Sequence, residues 1–177
     1  MGNQQERSLG WLAGIIDGEG SVSFQVYTLP DGRVRITPFV CIVNSDEGIL
    51  NEAWRLLGEL TAASTKARPR WCKHNVKNAK SFESRLLCSV IRLDGAAVRL
   101  VLAPLLPHLR SKKARSAAAI LEYLDSRDAM LLKRDDKGRI ERQGYTKAQV
   151  ELVCSIRTSP LAKSSEAICR APNVSAG

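Results

Sequence analysis

The chain has 177 residues, 44% of them hydrophobic, which is enough for one domain with a real core and excludes a disordered chain. It carries 27 Lys and Arg against 18 Asp and Glu, a formal net charge of +9 that favours a polyanionic partner, nucleic acid first. No run of 18 apolar residues exists and the basic residues are spread along the chain, which argues against a membrane partner.

In chain order, residues 7–17 read as a first helix with Ser8 as its N-cap. Gly10, Gly14 and Gly18 recur every four residues, so they share one helical face and leave a bare stripe where a second backbone can approach closely. Each interior glycine costs about 1 kcal/mol relative to alanine, so the stripe needs compensation from packing, and another copy of the same helix is the obvious partner. Ser21 to Thr28 then alternates, with Val22, Phe24 and Val26 on one face and Ser21, Ser23, Gln25 and Tyr27 on the other. Pro30-Asp31-Gly32 is a turn, and residues 33–43 form a second strand with Val34, Ile36, Val40 and Ile42 inward and Arg33, Arg35, Thr37, Phe39 and Cys41 outward.

Asn44-Ser45-Asp46 offers caps for a helix over 46–60, whose apolar face is Ile49, Leu50, Ala53, Trp54, Leu57 and Leu60. Alternation returns from Ser64 to Lys73, placing Lys66, Arg68 and Arg70 as a ladder of cations on one strand face, with Pro69 favouring a sheet edge. Residues 74–81 are a polar, basic turn and 82–93 a fourth strand, giving the order αββαββ. Residues 95–106 are apolar and helical, broken by Pro104 and Pro107, and a helix over 111–125 carries Ala114, Ala117, Ala118, Ile120, Leu121 and Leu124 inside. A charged turn at 133–144 precedes a last amphipathic helix near 146–157. We therefore expect one domain over 1–157 and a flexible tail over 158–177, where Ser, Ala and Pro accumulate.

The five cysteines, Cys41, Cys72, Cys88, Cys154 and Cys169, are odd in number and form no C-x-x-C pair, so they read as reduced, mostly buried thiols. His74 and His108 stand apart from each other and from the cysteines, and Trp11, Trp54 and Trp71 read as packing residues. The opening MGNQQERS has no charged-then-apolar signal pattern, which points to an intracellular protein.

The stretch WLAGIIDGEGS at 11–21 resembles the defining motif of the LAGLIDADG homing endonucleases, with Leu12, Ala13, Gly14, Ile15, Ile16, Asp17, Gly18, Glu19 and Gly20 filling its nine positions. The usual last aspartate is Glu19 here, and Gly18 stands for the alanine between the acids. The resemblance implies an α+β, αββαββα fold with an antiparallel four-stranded saddle sheet that binds DNA, and extra C-terminal helices. It implies a metal-dependent, site-specific DNA endonuclease that leaves short 3′ overhangs, using Mg²⁺, with Mn²⁺ or Ca²⁺ able to substitute for binding. Glu19 would bind the metal, Gly20 would lend a backbone carbonyl, and Asp17 would be mainly structural.

One acid per chain is too few for a cut in both strands, because divalent-ion cleavage needs a carboxylate near each scissile phosphate. A single motif per chain thus implies a homodimer on a near-palindromic duplex, joined through Gly10, Trp11, Gly14, Asp17 and Gly18. LPHLRSKKAR at 106–115 resembles the family's Pro-x-Leu-basic-x-Lys segment, which places Lys112 as a catalytic cation with Arg110 just before it, and Asn44 matches the position of a side chain that holds the water network. Base readout falls to the strand faces: Gln25 suits adenine, Arg33, Arg35, Arg68 and Arg70 suit guanine, Ser23 and Thr37 suit either, and Tyr27 and Lys66 suit bases or phosphates. The rivals are a maturase that binds intron RNA and a DNA-binding regulator with a spent site; retention of Glu19, Gly20 and Lys112 argues against both.

Overall fold

The computed structural model describes residues 2–64, 68–75, 87–131, 144–156, 168, 171–172 and 174–175. Helix α1 (Gly2–Glu19) runs directly into strand β1 (Gly20–Thr28), which pairs antiparallel with β2 (Val34–Asn44). The helix begins well before Ser8, whose hydroxyl donates to Gln4 O at 3.0 Å from inside the helix instead of capping it. Gly32, at φ 79°, closes the hairpin in a conformation that disfavours other residues, and its register pairs Val22 with Val40 and Val26 with Ile36. The alternation read from the sequence holds along both strands, with Val22, Phe24, Val34, Ile36, Val40 and Ile42 buried.

Helix α2 (Glu47–Thr61) is capped by Asp46, whose Oδ1 accepts from Gly48 N at 2.7 Å and Ile49 N at 3.1 Å. Strand β3 (Arg70–Asn75) starts later than expected, because Pro69 has no N–H for the ladder and the strand begins after it. The three-cation ladder is therefore not a strand feature: Arg68 precedes β3, exposed, and Lys66 lies outside the described residues. Strand β4 (Leu87–Asp94) sits between β2 and β3, so the antiparallel sheet has the order β1-β2-β4-β3.

Gly95, at φ 75°, turns the chain out of β4 through a 3-10 turn, Gly95–Ala97, into α3 (Val98–Leu105). Pro104 lies inside α3 rather than breaking it, and the helix ends at Leu105 before a second 3-10 turn that contains Pro107. Helix α4 (Lys112–Leu131) buries Ala117, Ala119, Ile120, Tyr123 and Leu124, while Ala118, expected inside, is exposed. The inward face of the sheet and the inward stripes of α1 to α4 share one core that includes Leu12, Ile16, Leu50, Leu57, Leu102 and Ile120. This is an α+β arrangement whose other sheet face stays accessible.

After the charged segment, which lies outside the described residues apart from Gly144, come β5 (Tyr145–Thr146) and α5 (Lys147–Ile156), with β6 (Val174–Ser175) parallel to β5. Thr146 and Gln149 cap α5 reciprocally: Gln149 N donates to Thr146 Oγ1 at 3.2 Å, and Thr146 N donates to Gln149 Oε1 at 3.1 Å. β4 pairs with β2 only from Phe39 onward, and among the described residues no strand lies on that side of the N-terminal half of β2. There Ile36 N donates to the Tyr145 hydroxyl at 3.0 Å. Phe24 meets Tyr123 edge to face at 4.9 Å, and burial pushes the Tyr123 hydroxyl to a higher pKa.

The tail expected over 158–177 contributes Ile168 and Ala171 to the core, with Val174 packed against it. Cysteines also differ from expectation: Cys72 is exposed and Cys41, Cys88 and Cys154 are half-buried. Trp54 and Trp71 do pack together, ring centroids 5.8 Å apart, whereas Trp11 is 37% exposed. Among the described residues no helix is long and apolar enough to cross a membrane.

Candidate active site

Two helix ends meet where α1 stops and α4 starts. Asp17 Oδ1 accepts from Ser111 Oγ at 2.6 Å, and its Oδ2 accepts from Arg110 N at 2.7 Å and Ser111 N at 3.3 Å. Ser111 in turn caps α4 by accepting from Lys113 N at 3.1 Å. In return the Lys113 amine donates to Ile16 O at 2.6 Å and Asp17 O at 2.8 Å, covering carbonyls that the end of α1 leaves unpaired. The acid thus lies at a helix N-terminus and the cation at a helix C-terminus, both favourable against the helix dipoles.

Burial pushes the Asp17 pKa up, but the hydrogen bonds from Ser111 and from the backbone of Arg110, with the charge of Lys113, outweigh it and hold the carboxyl below its usual range. Burial likewise pulls the Lys113 amine below its ordinary value, against the opposing carboxylates of Asp17 and Glu19. Because the folded state depresses the Asp17 pKa, its contribution to stability is complete above the unfolded carboxyl value of about 4 and fades as pH falls through the lower folded one. Asp17→Asn is expected to cost about 1–2 kcal/mol at pH 7 and less in acid. Urea melts of both proteins at neutral and acidic pH would check this; equal losses at every pH would contradict it.

This latch fixes the position of Glu19, the last residue of α1, whose side chain is exposed. Gly20, the first residue of β1, is buried so tightly that an added Cβ would lie 2.8 Å from both Cα and O of Ile16 and 3.1 Å from Cys41 O. Only glycine lets α1 turn into the sheet at this point. By contrast, a Cβ at Gly10, Gly14 or Gly18 would meet nothing within 4 Å, and these three lie exposed beside Trp11. The bare stripe is present, and it adjoins the acid.

Among the other expected site residues, Lys112 is exposed at the first position of α4, and it is Lys113 that turns onto α1. Arg110 is exposed and reaches Asp17 through its backbone. Asn44 accepts at Oδ1 from Asp46 N at 2.8 Å, which commits it to the turn into α2. Arg33 sits before β2 and pairs with Asp31 at 2.6 Å, an ion pair within the hairpin turn.

On the outward sheet face, Tyr27 and Arg35 are exposed and Ser23, Gln25 and Thr37 are half-buried. At its centre lies Arg92, which the sequence did not single out. Its Nε donates to Asp94 Oδ1 at 2.7 Å, its Nη2 to Gln25 Oε1, and its guanidinium sits 4.2 Å from the centroid of Phe39. Arg70 Nη2 donates to the second oxygen of Asp94. Among the described residues no group of three or more His, Cys, Asp or Glu could hold a metal ion.

The fold is that of LAGLIDADG homing endonucleases. An archaeal intron-encoded homing endonuclease, I-Vdi141I, solved in complex with DNA, matches at TM-score 0.59 over 93% of this chain and 96% of its own, at 17% identity. The homing endonuclease I-TnaI matches at TM-score 0.53 over 90% of this chain and 95% of its own, also at 17% identity. The LAGLIDADG homing endonuclease I-GzeII with its DNA target gives TM-score 0.59 and 12% identity over 92% of this chain but 49% of its own length. No family model and no curated protein matches the sequence.

Proposed function

We propose that this chain is a site-specific, metal-dependent DNA endonuclease that works as a homodimer on a long near-palindromic duplex and leaves short 3′ overhangs. The observation that carries the reading is the exposed Glu19 carboxylate, fixed at the end of a helix whose glycine face is bare, in a fold shared with DNA-bound endonucleases. Crossing of two α1 helices at that face would bring two Glu19 side chains together, one for each strand.

The donor set suits Mg²⁺, a hard cation that takes oxygen ligands, keeps several waters and needs only one or two protein carboxylates beside phosphate oxygens. Glu19 and Gly20 would hold it, and the ion when bound supplies a Lewis acid and an activated water. Glu19 sits at the negative end of α1, where an unpaired carboxylate is unfavourable and a cation is welcome. Asp17 and Lys113 lock that end in place. Arg110 and Lys112 flank Ser111, whose hydroxyl is bonded to Asp17, so both exposed cations are tied to the same point and can take phosphate charge. Asn44, at the C-terminal end of β2, would order water through its amide nitrogen, and the outward strand residues, together with Arg68 and Lys66, would bind and read the duplex.

The test is a cleavage selection. Purified protein with Mg²⁺ is incubated with long randomised duplexes and the cut ends are sequenced; enrichment of one near-palindrome with short 3′ overhangs is expected. Salt-sensitive duplex binding without cut ends would replace the endonuclease by a regulator, and preference for folded intron RNA would replace it by a maturase.

A further inference from the structure

The two halves of the β1–β2 hairpin are held in different ways. From Phe39 onward β2 lies between β1 and β4; that second ladder stops where β4 turns away at Gly95 and where Pro38 has no N–H to donate. The outer half, around the turn, rests on the C-terminal module of β5, α5 and β6. Ile36 N donates to the Tyr145 hydroxyl at 3.0 Å, and the hydroxyls of Tyr145 and Tyr123 are bonded to each other. The Arg127 guanidinium lies 4.9 Å from the centroid of the Tyr145 ring and donates to Gly144 O at 2.8 Å, so the ring is held as well as its oxygen. A second grip lies at the turn, where a Cβ added to Gly32 would come 3.9 Å from Pro172 Cγ, ordinary contact distance. Pro172 stands just before Val174, the register partner of Tyr145, so one module makes both contacts. The turn between them is stiff: Asp31 accepts from Arg33 N at 3.1 Å and Nε at 2.7 Å, and Gly32 N donates to Leu29 O at 2.9 Å.

Resting on the endonuclease reading, we propose that Tyr145 is a positioning residue for the outer half of this hairpin, so that the C-terminal module sets how far from the cut the enzyme selects sequence. Tyr145 is 9% exposed and does not itself reach a duplex. It acts through Ile36, next to Arg35, whose register partner Tyr27 is 46% exposed. Tyr27 lies seven residues beyond Gly20, about 23 Å at roughly 3.3 Å per residue. With the duplex rising about 3.4 Å per base pair, the Tyr27–Arg35 pair falls about seven base pairs from the scissile phosphate beside Glu19. A ribbon of two strands twists more strongly than the same strands inside a sheet. Release of Ile36 would therefore let the stiff tip coil away from the sheet as one piece. Phosphate contacts tolerate such a shift because they carry no sequence information, whereas a hydrogen bond to a base edge is lost by about 3.6 Å. The Tyr145 hydroxyl thus governs selectivity at the outer positions more than affinity.

The test is a binding selection on randomised duplexes with Glu19→Gln protein, in which no strand is cut, compared with the same protein carrying Tyr145→Phe. That substitution keeps the ring against Arg127 and removes only the oxygen. The parent is expected to discriminate about tenfold or more at positions some seven base pairs from the centre of cleavage, and Tyr145→Phe to lower this to about threefold while inner positions keep their profile. Asp46→Ala, which removes the cap of α2 and loosens the fold away from the hairpin, is expected to leave every position as in the parent. Pro172→Gly loosens the second grip and is expected to repeat the outer loss, so the inference stays testable if Tyr145→Phe does not fold. An unchanged profile in Tyr145→Phe and Pro172→Gly, a loss spread evenly over the half-site, or the same outer loss in Asp46→Ala would overturn the positioning role and leave the endonuclease reading standing. A parent that enriches no sequence would overturn both.

Discussion

Glu19→Gln is expected to lower cleavage of the selected duplex by about a thousandfold or more while leaving binding and dimerisation in place. The substitution is isosteric and exposed, so it takes away a charge without opening a cavity or stranding a buried partner. Among the described residues no group of three or more His, Cys, Asp or Glu stands ready to hold the ion in its place. Single-turnover cleavage, measured beside a binding assay on the same duplex, separates the two effects. A normal cleavage rate in the variant would remove Glu19 from the chemistry.

Gly20→Ala carries the largest expected effect on the fold, a loss of about 3 kcal/mol. The added methyl would press on the backbone of Ile16 at 2.8 Å and on Cys41 O at 3.1 Å, and neither is the yielding end of a flexible side chain. Relief would have to come from moving the end of α1 off the sheet, which displaces Glu19 and strains the bonds between Asp17 and the start of α4. Denaturant melts read the stability, and cleavage per folded molecule reads the displacement. A variant as stable as the parent would mean that the helix–strand junction is looser than its packing implies.

Local pattern carried the hairpin and α2, where alternation or a cap beside a helical apolar stripe leaves one consistent answer. It carried the glycine stripe and the exposed acid as well, because both belong to one helix. Pattern misplaced β3, since alternation continues through Pro69 while the ladder cannot. It could not show that Lys113 meets α1: Lys112 and Lys113 are indistinguishable by type, and only the cap at Ser111 sets which of them turns inward. Arg92 and Asp94 were missed for a different reason. Their meaning lies in partners from other strands, at sequence separations of 67 residues to Gln25 and 24 to Arg70. Composition suggests a tail for the closing segment because Ser, Ala and Pro are common in it, yet Ile168 and Ala171 supply apolar surface that the core absorbs.

The bond from Ile36 to the Tyr145 hydroxyl spans 109 residues, and it covers the stretch of β2 that β4 does not reach. During synthesis at roughly 5–20 residues per second, the first hairpin waits on the order of ten seconds for that cover to emerge. Throughout the interval it presents an open strand edge to neighbouring nascent chains on the same message. Assembly is therefore most vulnerable before Tyr145 has been made, and slower translation lengthens the exposure.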